Sequence, residues 1–154
     1  MQPPSRTTPP PPDHAYHDSH PSYRLAAYLK SAGTIPYRPG THDCVLFVAR
    51  WVDTCTGSNF ATEIAASYQT KFQGLARLAP AGVCQAVHQR LTAAGWKPTA
   101  TPRDGDICLT DLDHPGIWHF GAIRCQPLGA VGALILVRKH LTLALTHPSV
   151  SCPQ

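Results

Sequence analysis

The chain has 154 residues, is 43% hydrophobic and carries a net charge of +4 from 13 basic and 9 acidic side chains. That length suits one domain around one core, and no apolar run approaches the roughly 20 residues of a membrane-spanning helix. The charge is mild and scattered: Arg138-Lys139-His140 is the only tight basic group, reads as a solvated strand end, and gives no basis for nucleic-acid binding.

Residues 1–21 hold seven of the sixteen prolines, together with His14, His17 and His20. Such a segment buries too little apolar surface to order itself, so it is expected to be a flexible, partly polyproline-II arm. It lacks the basic-then-apolar order of a secretory signal, and the chain is expected to be made in the cytoplasm.

The folded domain is expected to span 22–154. Leu25, Ala26, Leu29 and Ala32 recur at helical spacing, and Gly33 ends that helix. Residues 34–42 read as loop, punctuated by Pro36, Pro39 and Gly40. The strongest helix follows, with Asp43 as its N-cap, Val45, Phe47, Val48, Trp51, Val52 and Cys55 on its buried face, and Gly57 past its end. Residues 61–78 read as weaker helix, in one or two pieces. Residues 81–95 form a clear helix with Val83, Cys84, Val87 and Leu91 inward. After Trp96 the pattern changes to β-rich runs at 105–112, 117–125 and 133–145, between Pro and Gly turns. Helices first and strands later indicate an α+β fold with a small antiparallel sheet.

The six cysteines include no C-x-x-C pair, so zinc ribbons and haem attachment have no support. Most of these thiols read as small buried apolar groups. Cys44 stands apart, because it opens a helix, where unpaired N–H groups and the helix dipole favour an anion. A nucleophilic thiol needs a base held nearby in space. His119 lies in an apolar run whose alternation puts Ile117, His119 and Gly121 on one face; it reads either as that base or as a satisfied core histidine.

Pro36, Tyr37, Gly40, Asp43, Cys44, Phe47 and Val48 resemble the N-terminal motif of the NlpC-type papain-like cysteine peptidases, Pro-Tyr-x-Trp-Gly-Gly followed by Asp-Cys-Ser-Gly-Phe-Val. Gly105-Asp106-Ile107 resembles that family's Gly-Asp-Leu strand, and His119 to Ile123 its His-Val-Gly-Ile strand. His42-Asp43-Cys44, Phe47-Val48-Ala49 and Thr56-Gly57 are most similar to small tail-tip proteins of phages and gene-transfer agents. Val45-Leu46 departs from the family's Ser-Gly, and Arg38-Pro39 from its x-Trp.

The resemblance implies a papain-like domain over roughly Ser22 to Leu145, with Cys44 as nucleophile and His119 as base. Tyr37 would line the cleft. The family's third, orienting polar residue falls in an apolar stretch here, which leaves His140, 21 residues beyond His119, as the candidate. The substrate would be the peptide cross-bridges of peptidoglycan and the partners the tail hub and other tail-tip proteins, in the virion, with no cofactor or metal. An alternative is a catalytically inactive tail-tip component that uses the same fold for assembly. A metal site joining Cys44, His42 and His119 is a further alternative that the spacing does not demand.

Overall fold

The computed structural model describes residues 21–70, 73–74, 81–126 and 134–150. The proline-rich arm at 1–20, most of 71–80, residues 127–133 and Cys152 lie outside them. Pro21, counted with the arm above, is the first residue of a helix.

Among the described residues the helices that precede the sheet are α1 (Pro21–Ala32), α2 (Cys44–Thr56), α3 (Phe60–Ala65) and α4 (Val83–Ala93). Six strands follow, β1 (Lys97–Thr99), β2 (Ile107–Thr110), β3 (Gly116–His119), β4 (Ala122–Cys125), β5 (Leu134–Leu136) and β6 (Leu141–Thr146), with a 3-10 turn at Arg138–His140 before the last. They form one sheet in the order β1-β6-β2-β3-β4-β5, every pair antiparallel. The architecture is α+β, as the order of elements predicts.

Helix α2 is the centre of the molecule. Asp43 and Gly57 bound it as expected: the Asp43 carboxylate accepts from the N–H groups of Val45 and Leu46, and Gly57 ends the helix in the left-handed conformation at φ 72°. Val45, Phe47, Val48, Trp51 and Val52 join one core with Ile107, Leu109, Ile117 and Leu145 of the sheet and Val87 and Leu91 of α4. Its other side packs Leu46 and Ala49 on Ala61 of α3. The sheet's far face carries a second cluster of Cys108, Trp118, Ile123, Cys125 and Leu136. The Arg138 guanidinium lies over the Trp118 ring there, 5.6 Å from its centre.

Two short helices are started by carboxylates from elsewhere in the chain. Asp53 of α2 accepts from the N–H groups of Phe60 and Ala61 at 2.8 and 2.9 Å, which fixes where α3 begins. Asp113 does the same for α4 through Val83 and Cys84, at 3.0 and 2.8 Å. Gly82 precedes that helix at φ 85°, and a Cβ there would lie 3.0 Å from the Asp113 carboxylate.

Three expectations need correction. The run 117–125 is two strands: the chain reverses at Phe120 and Gly121, both at positive φ (49° and 74°), and His119 pairs with Ala122. The face proposed for Ile117, His119 and Gly121 therefore does not exist. The run 133–145 is likewise broken, by the 3-10 turn between β5 and β6. Strand β1 was not expected; it is three residues long and lies on the sheet edge, where Pro98 costs little hydrogen bonding.

Candidate active site

The loop ahead of α2 is tightly made. Arg38 and His42 exchange backbone hydrogen bonds of 2.7 and 2.8 Å around Gly40, which adopts φ 74°. A Cβ on Gly40 would sit 2.4 Å from the Tyr68 carbonyl oxygen, so only glycine fits this approach. Besides the two helix N–H groups, the buried Asp43 carboxylate accepts from Gly40 N–H at 2.9 Å and from the Tyr68 hydroxyl at 2.6 Å. With four donors it is fully engaged as a cap.

This clamp sets Cys44 as the first residue of α2, half-buried. Burial, followed by the Asp43 charge, pushes its thiol up to about 12, while the N–H groups of Val45 and Cys44 pull the other way. The resting group is therefore a neutral thiol. Tyr37 and Tyr68 border it: burial raises both phenols, and the thiol and Asp43 add to each shift. The Cys84 and Cys125 thiols interact electrostatically with it.

These contacts place Cys44 at one particular end of the sheet. Cys125 ends β4, and a Cβ on Gly116 at the start of β3 would lie 2.7 Å from its sulfur. Cys84 is tied through Asp113 to the loop just before β3. The residue after Cys125, Gln126, is buried and bonds back to the Cys44 loop: its Oε1 lies 2.9 Å from His42 Nε2.

At this end sits His114, which the sequence reading missed. Its N–H donates to Thr110 Oγ1 and its carbonyl accepts from the same hydroxyl, which pins the β2–β3 turn. Its imidazole is buried, with Nε2 2.7 Å from the Gln126 carbonyl oxygen. A carbonyl only accepts, so Nε2 carries a proton, and the neutral ring is the tautomer with its lone pair on Nδ1. The residues His114-Pro115-Gly116-Ile117 meet the pattern His-x-Gly-Ile letter for letter, and Gln126 follows a dozen residues on. Both signals were present in the sequence, but the apolar neighbours of His119 drew the assignment to the second histidine.

His119 is not brought to Cys44. It lies three residues along β3 from Gly116, about 10 Å at the rise of a strand. That end of β3 meets the far part of α2: Trp51 Nε1 donates to the Gly105 carbonyl at 2.8 Å, and Gly105 N–H to the Trp118 carbonyl at 2.9 Å. Two turns of helix separate Trp51 from Cys44. Among the described residues His119 neighbours Asp104, Arg124 and the Phe120 ring, and its Nδ1 is buried without a partner. His140 does not orient it, because His140 Nδ1 pairs with Asp111 Oδ1 at 3.0 Å. His42 is 1% exposed, with both ring nitrogens hydrogen-bonded. Among the described residues, no three His, Cys, Asp or Glu side chains cluster in a way that holds a metal ion.

The fold and site define an α+β protein with a thiol at the start of a central helix and a tautomer-fixed imidazole at the same end of its sheet. The chain belongs to the family described as Domain of unknown function (DUF6950), whose model matches residues 19–142. No curated protein and no solved structure matches the chain. Among the described residues no helix is long and apolar enough to cross a membrane.

Proposed function

We propose that this chain is a cysteine hydrolase of the papain-like, NlpC type, with Cys44 as nucleophile and His114, not His119, as base. The observation that carries the reading is the His114 imidazole. Its Nε2–H is fixed on the carbonyl of Gln126, whose side chain bonds to the loop that carries Cys44, and in the neutral ring Nδ1 is then the proton acceptor. Burial keeps the thiol neutral, so proton transfer accompanies attack rather than preceding it. Cys44 Sγ bonds to the carbonyl carbon of a substrate amide while His114 Nδ1 takes the thiol proton. The Cys44 N–H supports the oxyanion. The C–N bond then breaks, His114 returns the proton to the departing amine, and water releases the acyl group from sulfur with His114 again as base. Tyr37 lines the approach.

The resemblance to tail-tip proteins makes a peptidoglycan cross-bridge peptide the proposed substrate and a phage tail tip, beside the hub, the proposed setting. Burial of Cys44 favours a second reading, in which the same fold serves tail assembly without catalysis. Digestion of purified peptidoglycan separates the two. On the hydrolase reading the wild-type chain releases amino groups, Cys44→Ala and His114→Ala abolish the release, and His119→Ala leaves it within about twofold. Digestion that survives Cys44→Ala, or that the wild type lacks, supports the assembly role.

A further inference from the structure

His42 lies two residues before Cys44 and is 1% exposed. A buried imidazole needs partners for both ring nitrogens, and His42 has them. Arg50 of α2 reaches Nδ1 at 3.1 Å, and Gln126 Oε1 lies 2.9 Å from Nε2. A guanidinium only donates, so Nδ1 is the acceptor and Nε2–H is the donor to Gln126. The Arg50 guanidinium also donates to the Thr41 carbonyl, which holds it against the same loop. The orientation of the Gln126 amide follows: with its nitrogen toward His42, two acceptors would be needed on a ring that has one. Among the described residues Gln126 Nε2 is buried and without a partner, so the bond to His42 is the side chain's anchor there. The main-chain carbonyl of this same residue fixes His114.

We propose that His42 is a positioning residue for His114, acting through Gln126, so that one loop sets both ends of the reacting pair. Asp43 of that loop clamps the start of α2 and with it Cys44; His42 clamps the end of β4 and with it the base. The inference rests on the reading of Cys44 and His114 as nucleophile and base, but its physical content, control of the His114 ring by His42, stands apart from turnover.

Two variants test it. His42→Phe fills the space without a hydrogen bond, and His42→Gln retains a donor for Gln126. The ring ¹⁵N shifts of His114 report its tautomer, and amine release from purified peptidoglycan reports turnover. In His42→Phe the His114 signals are expected to move from the fixed Nε2–H tautomer toward a mixture. The maximal rate should fall roughly tenfold to a hundredfold, the range seen when a hydrogen-bond partner that orients a metal-bound imidazole is removed, with KM unchanged. His42→Gln should restore both. Gln126→Met, which removes the amide and keeps the carbonyl, is expected to match His42→Phe and stands in if that variant does not fold. A His114 ring unmoved in all three variants overturns the inference, as does a wild-type His42 protonated at Nδ1. If the wild type hydrolyses nothing, the hydrolase reading fails, and the His114 spectra still decide whether His42 positions that ring.

Discussion

Asp43 shows how much one side chain does beside Cys44. Its carboxylate receives the Val45, Leu46 and Gly40 N–H groups and the buried Tyr68 hydroxyl. Truncation removes a helix cap and strands a phenol out of water. Asp43→Ala should therefore cost roughly 2–4 kcal/mol, the sum of a lost cap and a buried unpaired hydroxyl. Chemical denaturation gives the number; a loss under 1 kcal/mol would mean that water or a shifted loop replaces the carboxylate. Tyr68→Phe removes only the hydroxyl, so its cost isolates that contact. The cap was legible in the sequence, because Asp before an amphipathic run has one common use. Tyr68 was not: it lies 25 residues away, and nothing local marks it as a partner of Asp43.

At the scale of elements, the β3–β4 hairpin is the least favourable local choice. Its two-residue turn puts Phe120 at φ 49° and Gly121 at φ 74°, the pattern of a type I′ turn, which prefers Asn-Gly. Phe120 is 80% exposed, so its side chain buries little in return. Phe120→Asn is expected to raise stability by about 0.5–1 kcal/mol, seen as a higher thermal midpoint, because the residue gains a conformation it tolerates. A lower midpoint would mean that packing of the ring on His119, at 4.2 Å, outweighs the strain. This turn also explains why the strand was misread. Phe-Gly between apolar residues continues a β pattern on paper, and only the register reveals a reversal. Helices α1, α2 and α4 were legible because their periodicity is long. Helix α3 is six residues long and is started by Asp53 of α2, so no cap of its own announced it.

Over the whole molecule, the order of helices and strands was enough to give α+β, while the site required topology. Pairing β3 with β2 and β4 puts Gly116 beside Cys125 and His114 on Gln126, which bonds to the loop before α2, while the other end of β3, at Trp118 and His119, meets Gly105 and through it Trp51. Two histidines five residues apart thus serve opposite ends of one strand, and spacing alone could not choose between them. The central claim is that Cys44 reacts with the help of His114. Labelling with a peptide-like chloromethyl ketone, read by mass spectrometry at neutral pH, tests it most directly. Alone, a thiol pushed up to about 12 gives almost no thiolate below pH 9, and its labelling should rise as pH climbs toward that value. With His114 as base, the wild-type chain is predicted to take one label, on Cys44, near pH 7. His114→Ala should lose that label until the solution becomes strongly alkaline, and His119→Ala should keep it. Equal labelling of Cys44 with and without His114, or labels spread over the other cysteines, would contradict the account.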